Sequence, residues 1–124
     1  MSAHTPEETH ALIAAAFNAG DLDAFAQVYE EDATSIVPPD GRRVSGRDAI
    51  RAAVQPTFAL HPGARIEVVQ TLQGDGLALT HARWSIVGTD GDERVEMSGR
   101  GTIVSRRQPD GSWRIVLDNP MSPE

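Results

Sequence analysis

From Arg65 onward the chain is written almost wholly in strand segments. Candidate strands cover Arg65 to Leu72, Leu77 to Val87, Arg94 to Arg106 and Ser112 to Leu117. Between them stand Gly74-Asp75-Gly76, Thr89-Asp90-Gly91-Asp92 and Pro109-Asp110-Gly111. Glycine, proline and aspartate at such junctions are turn chemistry. Long strands joined by short turns pair antiparallel. A sheet of this kind must bury one face, so its cover has to come from the first half of the chain.

That half supplies helices. Thr5-Pro6-Glu7-Glu8 carries a cap residue, a proline at the first helical position and a glutamate three residues after the cap. Leu12, Ile13, Ala16 and Phe17 then share one side at helical spacing. Asn18-Ala19-Gly20 ends this helix, with glycine suited to a left-handed C-cap. Asp21 is placed to cap a second helix from Leu22 to about Glu30, with Phe25, Ala26, Val28 and Tyr29 on its apolar side. A strand near Ala33 to Val37, a turn from Pro38 to Gly41 and a short strand through Val44 follow. Ser45-Gly46-Arg47-Asp48 reads as a second capping box, opening a helix to about Gln55 that Pro56 ends or bends. Three helices, a short hairpin and four long strands make an α+β domain with helices laid on one face of a curved antiparallel sheet. The 124 residues fit one domain, with an ordered core expected from about residue 5 to 119.

Composition narrows the chemistry. There is no cysteine, which removes disulfides, thiolate nucleophiles and cysteine-ligated metals. All eleven basic residues are arginine, so no lysine is available for a Schiff base. A net charge of −7 makes nucleic acid and anionic membranes poor partners. No apolar run approaches the ~20 residues that span a bilayer, and the N-terminus lacks a signal-peptide pattern, so a cytoplasmic location is expected. His4, His10, His61 and His81 show no metal-ligand spacing, and no cofactor or metal is expected.

Several pieces occur together and in order: Asn18-Ala19-Gly20-Asp21 between two helices, Asp32-Ala33 before the first strand, Gly46 with Ile50 opening the third helix, and a final hairpin "RRQPDGSWRIVLDNP". With these the chain resembles nuclear transport factor 2-like domains, in the SnoaL-like and ketosteroid-isomerase-like branch. The resemblance spans nearly the whole chain. It implies a cone: a curved, mainly antiparallel sheet around an apolar pocket, with the three N-terminal helices packed on its concave face. It also implies a homodimer through the outer sheet face. The fold hosts many activities, so function has to be sought in the residues.

The resemblance to ketosteroid isomerases implies a carboxylate base on the first strand, a tyrosine on the first helix and an aspartate on a later strand. Those positions hold Val37, Ile13 and a site near Arg100 or Gly101, so steroid isomerisation is rejected. The pattern of limonene epoxide hydrolases asks for an arginine and an aspartate two apart. Arg100 is followed by Thr102, and only Asp118 remains as a second carboxylate. SnoaL-like cyclases and related dehydratases need a His/Asp pair as acid and base, for which the chain offers His81 and Asp118.

His81 and Asp118 are therefore the catalytic candidates, and Tyr29, Trp84, Arg100 and Asn119 the ligand-binding candidates. Each has a plainer alternative. His81 can sit on the outer face at a dimer contact. Asp118 and Asn119 can form a turn before Pro120. Arg100 can pair with Glu96 or Asp75 on the dimer face. Trp84 shares its strand face with Ala78, Thr80, Ala82 and Ile86, small residues that leave room beside a ring. Trp113 alternates with Ile115 and Leu117 and is expected to pack against the helices. The expected function is binding of an apolar, oxygenated small molecule, with isomerase-, cyclase- or hydrolase-type chemistry on it. The alternative is a non-catalytic dimeric ligand-binding or protein-interaction module.

Overall fold

A computed structural model describes residues 2–38 and 40–123. Pro39, within the expected turn, and the two terminal residues lie outside the described residues. The order is α1 (Pro6–Ala19), α2 (Leu22–Gln27), β1 (Tyr29–Val37), β2 (Arg42–Ser45), α3 (Arg47–Phe58), β3 (Gly63–Gln73), β4 (Leu77–Asp90), β5 (Glu93–Arg107) and β6 (Trp113–Asn119). The strands form one curved, unclosed sheet in the order β2-β1-β6-β5-β4-β3. Every neighbouring pair is antiparallel except β1 and β6, which run parallel.

The Asn18–Asp21 connection has a task for each end. Gly20 takes φ 67° as a left-handed C-cap, a conformation that costs glycine little. Asp21 accepts from the Ala24 amide and starts α2. Asn18 reaches across to β3: its Nδ2 donates to the Ala64 carbonyl at 3.1 Å and its Oδ1 accepts from the Ala64 amide at 2.7 Å. One side chain thus pairs with the edge strand as a strand residue would. Above the sheet, Phe17, Phe25 and Phe58 meet with ring centroids 4.8 to 5.6 Å apart and join the three helices. Burying each such ring contributes about 2–3 kcal/mol.

Five details differ from the sequence reading. The second helix stops at Gln27 rather than Glu30, because Tyr29 already pairs with Ile115 and the Val28 carbonyl accepts from the Ile115 amide. Sheet pairing thus claims Val28 and Tyr29, and both remain buried. The third helix runs through Pro56 to Phe58. Proline inside a helix costs roughly 3 kcal/mol, and packing Phe58 between two rings offsets part of that. Ser45 does not cap this helix. Its hydroxyl bonds Thr34 across β1 and β2, and Gly46 is the cap residue without a side-chain bond. The chain is also held before Thr5, where Ala3 is buried and bridges Trp113 beneath Leu12.

The fifth difference decides the site. Opposite Val104 stands Leu117, but opposite Ser105 stands Ile115, so Val116 is an extra residue in β6. Such a bulge reverses the alternation beyond it. Leu117, expected on the inner face with Trp113 and Ile115, is turned out and 49% exposed. Asp118 is turned in. Among the described residues no helix is long and apolar enough to cross a membrane.

Candidate active site

The helices and the concave sheet face enclose a cavity of about 120 Å³. Ile13 and Phe17 of α1, Phe25 of α2 and Ile50 and Val54 of α3 line one side, and Ile66, Ala82, Trp84, Ile86 and Ile103 line the other. No arginine lines it among the described residues. Ile13 and Val37, where the steroid-isomerase pattern implies a tyrosine and a base, line it as hydrocarbons.

Two polar groups from distant parts of the chain meet in this apolar surround. Tyr29 enters from the start of β1 and Asp118 from beyond the β6 bulge. The Tyr29 hydroxyl donates to Asp118 Oδ2 at 2.5 Å. Burial pushes the Asp118 carboxyl up to about 6, with the Tyr29 hydrogen bond pulling the other way. Burial, and then the Asp118 charge, push the Tyr29 hydroxyl well above its ordinary range, so it stays a donor. Asp118 Oδ1 has no protein hydrogen-bond partner among the described residues. A carboxylate that titrates near neutrality, lines a cavity and has one oxygen without a protein partner among the described residues can take a proton and return it.

Trp84 forms a wall because β5 offers no side chain beneath it. A Cβ on Gly99 would lie 3.1 Å from the indole Cζ2, and one on Gly101 would lie 3.5 Å from its Cδ1. The ring therefore lies against bare backbone, and its Nε1 donates to the Pro120 carbonyl at 2.8 Å.

The other candidates are not brought to this cavity. His81 is three residues from Trp84, an odd number, so alternation turns it to the outer face. There its Nδ1 lies 3.0 Å from Thr102 Oγ1, which in turn meets Ser122 Oγ. Asp118 lines this outer groove as well as the cavity, so the His81/Asp118 pair expected from the sequence shares the groove but not the cavity, and the two are not hydrogen-bonded to each other. Arg100 is exposed on the same outer face, one residue out of phase with Gly99 and Gly101. Asn119 also turns outward, and its Oδ1 accepts from the Met121 amide in the turn that was its plainer alternative. Among the described residues no group of three or more His, Asp or Glu could hold a metal ion.

Sequence reasoning missed His10. It is buried against the cavity, with Nε2 2.6 Å from Thr80 Oγ1. Desolvation lowers its pKa to about 4. The signal was available: residues 10, 13 and 17 form one stripe of α1 at helical spacing.

A family model described as the SnoaL-like domain matches residues 10–116. The chain belongs to the SnoaL-like domain family. No match was found among curated proteins. Solved structures place the SnoaL-like domain in its fold. A putative calcium/calmodulin-dependent protein kinase type II association domain from Thiobacillus denitrificans is 26% identical, with TM-score 0.76, over 98% of this chain and 99% of that one. A ketosteroid isomerase-like protein from Erwinia carotovora atroseptica is 20% identical, with TM-score 0.77, over 94% of each chain. An NTF-2 like protein of unknown function from Shewanella oneidensis is 21% identical, with TM-score 0.75, over 93% of this chain and 94% of that one. At these identities the second and third likenesses establish the fold alone, the cystatin-like cone that other neighbours share.

Proposed function

We propose that this SnoaL-like domain binds a small, uncharged, largely apolar molecule in the cone and that Asp118, oriented by Tyr29, moves a proton on it. The observation that carries this reading is the Tyr29–Asp118 pair: a carboxyl raised to about 6, with one oxygen fixed and the other free, in a hydrocarbon-lined cavity. The reaction class is general acid–base catalysis, as in isomerisation or addition and loss of water next to a carbonyl. An anionic ligand is disfavoured, since it would meet the Asp118 charge with no arginine to balance it among the described lining residues.

Cavity size limits the ligand. Drug-sized ligands occupy roughly 300–1,000 Å³, whereas a cavity of about 150 Å³ takes one benzene ring. At about 120 Å³ the cone suits a single ring or a short chain. The test is exchange of the α-protons of cyclohexanone and cyclopentanone into heavy water, followed by proton NMR. Wild-type protein is expected to accelerate exchange and Asp118→Asn to abolish the acceleration. Equal rates with both proteins would remove the proton-transfer role.

A second reading has its own observation. The outer sheet face carries a groove with Val69 and Leu117, each 49% exposed, beside Val104, His81 and Thr102. Apolar residues grouped on an outer sheet face suit a homodimer contact, and a dimeric module would need no chemistry in the cone. Sedimentation of wild type and Leu117→Arg tests it: a dimer that the variant splits supports the contact, and a wild-type monomer removes it.

A further inference from the structure

Thr80, Ile103 and Asp118 stand opposite one another on β4, β5 and β6. All three face the helices, so Ile103 lies between two polar stations on one row of the concave face. Adjacent strands are ~4.8 Å apart, which puts the Cα atoms of Thr80 and Asp118 about 10 Å from each other. Tyr29 stands over Asp118 and His10 comes down from α1 onto Thr80.

We propose that His10 is a second ligand-binding residue of the cavity, and that the ligand is a small molecule with two polar groups separated by an apolar waist. One group meets Asp118 and the other donates a hydrogen bond to His10 Nδ1. This rests on the cone being a ligand site, as proposed above.

The hydrogen bonds favour this assignment. Thr80 Oγ1 lies 2.6 Å from His10 Nε2 and 3.4 Å from the Ile103 carbonyl. A hydroxyl has one proton to give. Both bonds form when the imidazole Nε2–H donates to Thr80 and Thr80 donates to Ile103. That tautomer leaves Nδ1 as a bare acceptor. Nδ1 has no protein partner among the described residues. Yet Ser105 Oγ is the only fully buried, unpartnered side-chain polar atom among them. Nδ1 is therefore not sealed off as Ser105 Oγ is, and His10 lines the cavity. Burial holds the ring neutral down to about pH 4, so the acceptor persists throughout the neutral range. The apolar waist follows from Ile103, which separates the two stations.

Phenol, resorcinol and hydroquinone test this as probes, with affinities read from amide shifts in NMR titrations. Phenol can use one station and the dihydroxybenzenes two. The expected result is roughly fivefold tighter binding of resorcinol or hydroquinone than of phenol to wild type, the worth of one added hydrogen bond. His10→Phe is expected to erase that difference, so that the variant binds the dihydroxybenzenes no more tightly than it binds phenol. The wild-type imidazole provides a control that does not depend on the variant folding: its Nδ1 nitrogen resonance should move with a dihydroxybenzene and not with phenol. Equal affinities with an unmoved Nδ1 resonance, while phenol still perturbs Asp118, would overturn the role of His10 and leave the cone as a ligand site. Absence of binding by all three probes would overturn both.

Discussion

Asp118 carries its charge at a cost that Tyr29 reduces. The hydroxyl donates to the ionised carboxyl and so draws its pKa down against the effect of burial. Removing that donor should raise the Asp118 pKa above about 6 and leave a poorly solvated carboxylate. Tyr29→Phe is therefore expected to move the carboxyl titration upward and to lower stability at pH 8 by about 1–3 kcal/mol. Carboxyl-carbon NMR and urea denaturation read the two effects. A titration that moves downward would contradict the assignment of Tyr29 as donor.

At the scale of elements, Asn18 fixes the end of α1 to the edge strand β3 through two hydrogen bonds to Ala64. Asn18→Ala is expected to lower stability by about 1–2 kcal/mol, seen as a lower urea midpoint with an unchanged slope. An unchanged midpoint would contradict a structural role for the pair. This connection was legible in the sequence because its roles are local: a left-handed cap at Gly20 and a helix start at Asp21. The strands were legible for the same reason, since turn chemistry separates them. Trp84 as a cavity wall followed from the small residues on its own strand face. His81 and Arg100 take the outer-face alternative by a matter of parity, because a strand that turns Trp84 and Gly101 inward must turn their odd-spaced neighbours outward. Asp118 is the opposite case. Simple alternation with Trp113 and Ile115 places it outside, and only the extra residue at Val116 brings it in. A bulge depends on pairing with a neighbouring strand, so no local pattern in β6 announces it. The Tyr29–Asp118 contact, 89 residues apart in the chain, is likewise set by the parallel pairing of β1 with β6.

The whole molecule carries two desolvated groups, buried His10 and half-buried Asp118, whose effects on pH stability oppose each other. Asp118 titrates near 6 when folded and near its ordinary 3.8 when unfolded. Between those values the folded state holds more protons, so this group's contribution is present at acid pH and is lost as pH rises through 6. His10 titrates near 4 when folded and near 6.5 when unfolded. Its contribution is present above 6.5 and is lost as pH falls through 4. The two trends offset over pH 4–6, and wild-type stability should be nearly flat there with respect to this pair. Asp118→Asn should leave the histidine trend, so that the variant loses stability as pH falls. His10→Phe should leave the aspartate trend, so that the variant loses stability as pH rises. Thermal unfolding across pH 4–7 reads both, and parallel profiles for the two variants would contradict the burial of these groups.

In this structure a strand bulge delivers an acid–base group into an apolar cone. Following the Asp118 carboxyl carbon of the wild-type protein by NMR from pH 3 to 8 tests that placement. A midpoint near 6 is predicted. A midpoint in the ordinary carboxylate range near 4 would mean that Asp118 is hydrated as a surface aspartate is, and would contradict both its inward placement and its proposed part in proton transfer.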